Sequence, residues 1–245
     1  MNDRVPSSSD WAIEAEALSK SFGGNRALTG VDIKVRRGDW LTIFGPNGAG
    51  KTTLIKLLST LAKPTGGSAR LHGLDITGEP AKIRRLLGVV THSTFLYNDL
   101  TVSENLRFYG RMYLAPDLER RIEEVVSQVQ LESRLHDRVG TLSHGLQRRA
   151  SIARAVMHNP SILLLDEPET GLDPHATTMM REVMDTLNSG DRTVVMTTHN
   201  LERGIEIAGQ VAVLHEGSIV YQASKEDIDA AGIREIYGRC TGQGA

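Results

Sequence analysis

The pattern of apolar and polar positions along the chain predicts short strands that alternate with helices. Apolar or alternating runs of about 4 to 10 residues are typical of strands. The runs that predict strands are Trp11–Ser19, Arg26–Val35, Trp40–Phe44, Ala69–Leu74, Leu86–Val90, Ile162–Asp166, Thr193–Thr198 and Val211–Gln222. We expect the first to be an edge strand and the last to form a hairpin around Glu216-Gly217.

Helical spacing occupies much of the sequence between these runs. Leucines recur three or four positions apart after Phe44, and Pro80–Arg85 and His175–Leu187 show similar periodicity. The last of these separates two runs, Ile162–Asp166 and Thr193–Thr198, that have the composition of buried parallel strands. The chain is therefore expected to adopt an α/β fold with a parallel sheet.

A longer helical section lies in the middle of the sequence, from about Thr101 to Asn159. Thr101-Val102-Ser103-Glu104 has the form of a capping box and predicts a helix at Asn105–Tyr113. Further helices are predicted at Leu118–Gln130 and Gln147–Met157. We interpret residues 93–159, approximately, as a helical subdomain inserted in a domain of residues 11–245, with a disordered start at residues 1–10.

A glycine-rich turn follows the predicted strand Trp40–Phe44 and precedes the first helix. It fits the phosphate-loop pattern G-x-x-x-x-G-K-[ST] with Gly45, Pro46, Asn47, Gly48, Ala49, Gly50, Lys51 and Thr52, followed by Thr53. In this pattern backbone N–H groups surround the phosphates, Lys51 reaches the β and γ oxygens, and Thr52 meets Mg²⁺. The flanking strand and helix favour this interpretation over an ordinary glycine turn.

Two carboxylates end the apolar strand Ile162–Asp166. Buried charges need a partner, and Mg²⁺ beside the phosphate loop would supply one for Asp166. Glu167 would then point towards the γ-phosphate, where a carboxylate can activate the attacking water. A solvated strand end is the alternative.

Composition and charge exclude several other classes of protein. The 245 residues carry a formal net charge of −2, so no basic surface argues for nucleic acid, and the single cysteine, Cys240, excludes an intramolecular disulfide. No apolar run approaches the roughly 18 residues of a membrane span, and the polar start lacks the centre of a signal peptide. We therefore expect a cytosolic location.

Three further stretches indicate which family of ATPases the sequence resembles. Leu142–Arg149, read as L-S-H-G-L-Q-R-R, resembles the signature sequence of ATP-binding cassette (ABC) ATPases. Ser143, Gly145 and the N–H groups of a helix start would form an anion site that faces outwards, which calls for a second copy of the chain. Gly171–Asp173 resembles the D-loop of the same family, and Thr197–His199 resembles its switch histidine.

The resemblance to ABC ATPases covers about residues 12–222 and implies a site. It implies a P-loop NTPase core with a parallel sheet, an N-terminal antiparallel β part and the inserted helical subdomain. Two copies would enclose two ATP molecules with Mg²⁺. The implied roles are adenine stacking by Phe22, phosphate binding by the glycine loop, Mg²⁺ binding by Thr52 and Asp166, and hydrolysis by Lys51, Glu167 and His199. Ser143 and Gly145 would close on the partner's ATP, and Asp173 of the D-loop would also bind nucleotide. A core-facing Phe22 is the alternative to stacking.

The sequence departs from the family pattern at two places. His92 stands where the family usually has a glutamine that contacts Mg²⁺ and the water, so we assign His92 to both the catalytic and the metal site. His144 and Leu146 replace the usual glycine and glutamine of the signature.

Transport is the favoured function within this family. The compact length favours this function, and the stretch Asn98–Leu106 is similar to the corresponding stretch of prokaryotic transporter ATPases. Such ATPases bind a separate transmembrane permease at the cytoplasmic face of the membrane and supply it with energy. We expect the permease to dock near His92–Tyr109. The stretches Gly88–Tyr97 and Glu104–Tyr109 resemble haem exporters of cytochrome c maturation. A soluble ABC ATPase of iron–sulfur cluster assembly stays open as the alternative, whereas a nucleic-acid-bound member lacks the basic arm it would need.

The histidine at position 92 predicts an unusual pH dependence. A protonated imidazole would repel Mg²⁺, and imidazoles typically gain their proton below about pH 6.5. We expect ATPase activity to fall below about pH 6.5 more steeply in the wild type than in a His92→Gln variant. The measurement is kcat as a function of pH for both, and parallel profiles would contradict this role of His92.

Overall fold

The computed structural model describes residues 10–188, 192–227 and 229–242. Of the predicted disordered start, residues 1–9 lie outside the described residues. The strands are β1 (Trp11–Phe22), β2 (Asn25–Arg36), β3 (Trp40–Phe44), β4 (Gly66–Leu71), β5 (Leu74–Asp75), β6 (Leu87–Val90), β7 (Ile162–Asp166), β8 (Thr193–Thr198), β9 (Gln210–His215) and β10 (Ser218–Ser224). The α-helices are α1 (Lys51–Leu58), α2 (Pro80–Leu86), α3 (Val102–Met112), α4 (Leu118–Gln128), α5 (His144–Val156), α6 (Pro174–Asn188), α7 (Leu201–Ile207) and α8 (Ala230–Thr241).

The larger sheet has the strand order β10-β9-β3-β8-β7-β6. Strands β9, β3, β8, β7 and β6 run parallel, and β10 closes one edge as the antiparallel half of the predicted hairpin. Every residue of β3, β7 and β8 is buried, as their apolar composition requires. The predicted α/β fold with a parallel sheet is confirmed. Its carboxyl edge gathers the loops that follow β3, β6, β7 and β8.

The smaller sheet has the order β2-β1-β4-β5 and is antiparallel. The prediction of an edge strand at Trp11–Ser19 is wrong, because β1 pairs with β2 on one side and β4 on the other. The sequence predicts a strand at Ala69–Leu74, and the structure has β4 at Gly66–Leu71. The local pattern predicts strands but does not report which of them are neighbours in the sheet, so the pairing of β1 with β4 was not predicted.

Helices α3, α4 and α5 lie in the chain between β6 and β7, as the periodicity predicted. The capping box before α3 is confirmed, with the Thr101 Oγ1 accepting from the Glu104 N–H at 3.1 Å and Glu104 Oε2 accepting from the Thr101 N–H at 2.8 Å. The helix α5 begins at His144 rather than Gln147, because Ser143 caps it with its hydroxyl. Helices α7 and α8 were not predicted from the sequence.

The two faces of the larger sheet are covered differently. One hydrophobic cluster joins α3, α4 and α5 to β7 and β8 through residues such as Leu106, Val125, Ile152 and Leu163. A second cluster joins α1 and the smaller sheet to the other face. The helical layer therefore shares its core with the strands that carry Asp166 and His199. Among the described helices, none is both long and apolar enough to cross a membrane.

Candidate nucleotide-binding site

The glycine-rich loop links β3 to α1, the context the phosphate-loop pattern requires. Gly50 has φ +109°, and a Cβ there would lie 2.5 Å from the carbonyl oxygen of Ala27, so only glycine fits. Helix α1 has no side-chain cap and no acidic residue in its first turn. Its first N–H groups are therefore left for an anion.

A cavity of about 210 Å³ opens over this loop. Its lining includes most of the predicted phosphate loop together with Glu167, and comprises Asn25, Arg26, Ala27, Pro46, Asn47, Gly48, Gly50, Lys51, Thr52, Thr53 and Glu167. The remaining loop residues lie behind it: Ala49 is buried, and a Cβ on Gly45 would lie 2.3 Å from the carbonyl oxygen of Leu214. The glycines thus allow the loop to pack on the sheet while its backbone faces the cavity.

The side chain of Lys51 is held at the base of the cavity, where only 5% of it is exposed. Its Nζ donates to the carbonyl oxygens of Gly45 at 2.6 Å and Pro46 at 3.1 Å, and lies 3.1 Å from Glu167 Oε1. A buried ammonium needs such partners. The carboxylate of Glu167 thus neutralises the cation that the sequence pattern assigns to phosphate.

Glu167 follows β7 in a left-handed conformation with φ +47°. Its N–H donates to the carbonyl oxygen of Thr197 at 3.0 Å, and Thr170 Oγ1 donates to its Oε2 at 2.9 Å. The His199 Nδ1 lies 3.5 Å from the same oxygen. Burial raises the pKa of Glu167, but the hydrogen bonds from Thr170 and Lys51 outweigh it and hold the pKa below its ordinary value. The predicted catalytic residues Lys51, Glu167 and His199 therefore meet at one carboxylate.

The structure does not bring all of the residues predicted to bind a metal into the cavity. Thr52 lines the cavity, whereas Asp166 is buried beside it at the end of β7 and accepts from Thr197 Oγ1 at 2.7 Å. His92 is exposed on the loop after β6 and does not line the cavity. Within the described residues, no group of three or more His, Cys, Asp or Glu side chains could hold a metal. The hydroxyl and carboxylate oxygens present suit Mg²⁺, which at phosphate sites needs only one or two protein ligands.

Phe22 lies at the end of β1 with 53% of its surface exposed, so the core-facing alternative is wrong. The Lys20 Nζ lies 4.9 Å from the centre of the ring. The ring does not line the phosphate cavity, and its stacking on a base stays a prediction.

The signature and D-loop residues lie together, and none of them lines this cavity. A Cβ on Gly145 would lie 2.8 Å from the Cβ of Ala176 in α6, and a Cβ on Gly171 would lie 3.6 Å from the ring of His144. Ser143 and Asp173 are exposed and cap α5 and α6, with Asp173 Oδ1 accepting from the Ala176 N–H at 2.8 Å. The structure therefore brings the starts of α5 and α6, with Ser143, Gly145 and Asp173, close to one another.

Three side chains around Glu167 were missed from the sequence. Thr170 bonds its carboxylate, Thr197 bonds both Asp166 and the Glu167 backbone, and Arg148 reaches the carbonyl oxygens of Asp166 and Glu167. The role of Thr170 could have been predicted from the sequence, because a hydroxyl three residues after an acidic residue in a turn commonly donates a hydrogen bond back to it. Arg148 had no such local signal.

Comparisons with known proteins identify the family. Residues 28–170 match the family described as ABC transporter. The chain belongs to the ABC transporter family. The linearmycin resistance ATP-binding protein LnrL of Bacillus subtilis (strain 168) is 33% identical over 88% of this chain and 70% of its own length. The Nod factor export ATP-binding protein I of Cupriavidus pinatubonensis is 34% identical over 92% of this chain and 71% of its own length.

A solved structure shows the same architecture. The dimeric ATP-binding cassette MJ0796, in a post-hydrolysis state bound to ADP and Pi, superposes with a TM-score of 0.80 and 26% identity over 88% of this chain and all of that one. The chain is thus an ATP-binding subunit of the ABC transporter type. The names of the two relatives do not support the haem-exporter subgroup or a place in cytochrome c biogenesis.

The ion pair between Lys51 and Glu167 predicts a measurable effect on nucleotide affinity. A nucleotide must take Lys51 from the carboxylate, so Glu167→Gln should bind ADP about tenfold more tightly, equivalent to about 1.4 kcal/mol. Isothermal titration calorimetry measures this. Glu169→Gln is the control, since Glu169 is a half-buried carboxylate two residues away that does not line the cavity. Equal affinities in the two variants would contradict competition by Glu167.

Proposed function

We propose that this chain is the ATP-hydrolysing motor subunit of an ABC exporter that works with a separate transmembrane permease. The observation that carries the proposal is the convergence of Lys51, Glu167 and His199 at the phosphate-loop cavity. A cation, a carboxylate and an imidazole at a helix N-terminus are the groups that phosphoryl transfer to water requires.

In the proposed mechanism each residue has one task. The loop N–H groups and Lys51 bind the phosphates, and release of Glu167 from Lys51 frees its carboxylate to orient and deprotonate the attacking water. His199 donates a hydrogen bond to the γ-phosphate. Thr52 and Asp166, with His92 as a further proposed ligand, would hold Mg²⁺, which would supply positive charge that stabilises the phosphoryl group during its transfer.

We further propose that the chain acts as a dimer with two ATP molecules at the interface. The support is that Ser143, Gly145 and Asp173 lie close together and do not line the chain's own cavity, and that the similar cassette MJ0796 is dimeric. Phe22 would stack on adenine at the edge of each site. In a homodimer the same sequence would supply the residues of both ATP sites at the interface.

The proposed permease surface is an apolar patch around the helical layer. Its large exposed side chains are Leu61, Phe95, Tyr97, Phe108, Met112 and Leu114. Next to them lies a cleft of about 200 Å³ between β6 and the helices, lined in part by Leu61, Phe95, Tyr109 and Arg154. Exposed apolar surface of this kind marks a protein interface. This patch includes part of the predicted docking region, His92–Tyr109, and supports the proposal that a permease holds the chain at the cytoplasmic face of a membrane.

The cargo proposal rests on relatives and not on residues of this chain. One relative is named for linearmycin resistance and another for Nod factor export, so we propose export of an organic molecule. The resemblance to haem exporters finds no support in those names and is not part of the proposal. The iron–sulfur alternative is likewise not favoured.

Two variants test the proposed chemistry. Glu167→Gln should bind ATP and dimerise but lose at least about 100-fold in kcat, because it cannot accept the proton. Lys51→Ala should lose ATP binding, because the buried cation at the base of the cavity is gone. Phosphate release and size-exclusion chromatography with ATP measure these outcomes. Near wild-type hydrolysis by Glu167→Gln would show that another group is the base.

Isolation of the ATP-trapped complex tests the partner. Tagged Glu167→Gln chain, purified with ATP from detergent-solubilised membranes of the native host, should carry a polytopic membrane protein in stoichiometric amount by mass spectrometry. Leu61→Ser in the same background should lose that protein, since Leu61 lines the cleft. Val220→Ser, at an exposed valine on β10, is the matched control and should keep it. Soluble partners alone would contradict the transporter proposal.

A further inference from the structure

Arg148 is buried at the point where the helical layer meets the catalytic edge of the sheet. It lies in α5, and only 4% of it is exposed. Its Nε donates to the carbonyl oxygen of Pro168 at 3.1 Å, and its Nη2 donates to those of Asp166 at 3.0 Å and Glu167 at 2.8 Å. Its Nη1 donates to the carbonyl oxygen of Thr91. One side chain therefore binds three consecutive peptide groups around Glu167.

The adjacent arginine shows that this pattern is specific to position 148. Arg149 is also buried in α5, but its Nη1 donates to the carbonyl oxygens of Val129 at 3.3 Å and Gln130 at 3.0 Å. Both of those acceptors belong to the end of α4 and the loop after it. Arg149 holds the helical layer together, whereas Arg148 holds that layer to the catalytic turn.

The bonds of Arg148 act on a strained residue. Glu167 has φ +47°, a conformation that is unfavourable for a non-glycine residue and persists only when neighbours enforce it. Its N–H is held by Thr197 and its C=O by Arg148. These two anchors fix the backbone of Glu167, whereas Thr170 and Lys51 hold its carboxylate.

The bond to Thr91 extends the connection to the next loop. Thr91 follows β6 directly and precedes His92. The capping residue Ser143 of the same helix lies only one turn and a half before Arg148. One guanidinium therefore links α5 both to the backbone of Glu167 and to the loop of His92.

The charges around position 148 also favour an arginine there. Burial lowers the pKa of Arg148, and the negative charges of Asp166 and Glu167 oppose that effect. An arginine stays charged even when buried, and its planar fork matches several carbonyl oxygens at once. A lysine ammonium would keep the charge but could not reach acceptors on both sides of the turn.

We propose that Arg148 is a positioning residue for hydrolysis, which fixes the Glu167 turn in register with α5 and with the loop of His92. The inference rests on the proposed role of Glu167 as general base. It assigns to Arg148 a function in the rate of hydrolysis and none in the binding of nucleotide, since Arg148 does not line the phosphate cavity.

The test compares Arg148→Lys and Arg148→Gln with Arg149→Lys. Because small displacements of a catalytic group cost about 10- to 100-fold in rate, we expect kcat to fall by that factor in both Arg148 variants. The KM for ATP and the Kd for ADP should stay within about twofold of the wild type. Arg149→Lys should keep kcat within about threefold, and thermal unfolding shows whether the two lysine variants are equally stable. Should Arg148→Gln fail to fold, Arg148→Lys carries the test.

A double-variant cycle with Glu167→Gln checks that Arg148 acts through Glu167. Adding Arg148→Lys to Glu167→Gln should lower the residual single-turnover rate by less than about threefold, because the base is already absent. A full additive loss would overturn the inference. Equal kcat losses in Arg148→Lys and Arg149→Lys, or a rise in KM as large as the fall in kcat, would also overturn it.

The outcomes separate this inference from the proposed function. Normal hydrolysis by Arg148→Lys alongside loss of hydrolysis in Glu167→Gln overturns only the role of Arg148. Absence of ATP hydrolysis in the wild type, or its persistence in Glu167→Gln, overturns the proposed role of Glu167 and the inference with it.

Discussion

The buried ammonium of Lys51 is the constraint on which the site depends. It lies near the end of β3, where it donates hydrogen bonds to the carbonyl oxygens of Gly45 and Pro46 and forms an ion pair with the carboxylate of Glu167. A buried cation cannot be left without compensation, and Glu167, which directly follows β7, supplies the negative charge. The ion pair balances the charge of Lys51 at the base of the cavity.

The parallel sheet makes this balance possible. Strands β3, β7 and β8 lie side by side and end at one edge, so residues far apart in the chain meet there. Thr197 at the end of β8 bonds both Asp166 and the N–H of Glu167 across the neighbouring strand. On the helical side Arg148 donates hydrogen bonds to the carbonyl oxygens of Asp166 and Glu167. The geometry of Glu167 therefore depends on the strand order and on the helix α5, in addition to the local bond from Thr170.

Much of the fold and part of the site could be predicted from the sequence, for physical reasons. The phosphate loop, the strands Trp40–Phe44 and Thr193–Thr198 and the capping box at Thr101 depend on local sequence, and the structure has them at those positions. The second neighbour of β1 and the partners of Arg148 depend on contacts between distant segments, which periodicity does not report. The exposure of Phe22 could not be decided locally either, because a glycine-flanked aromatic fits both a core and a surface.

The hydroxyl of Ser143 has a consequence for the affinity of assembly. It accepts from the Leu146 N–H at 3.4 Å, which is longer than a typical N–H···O bond. A ligand that takes over this exposed hydroxyl would break only a weak bond, so little of the new contact would be spent on replacing an old one.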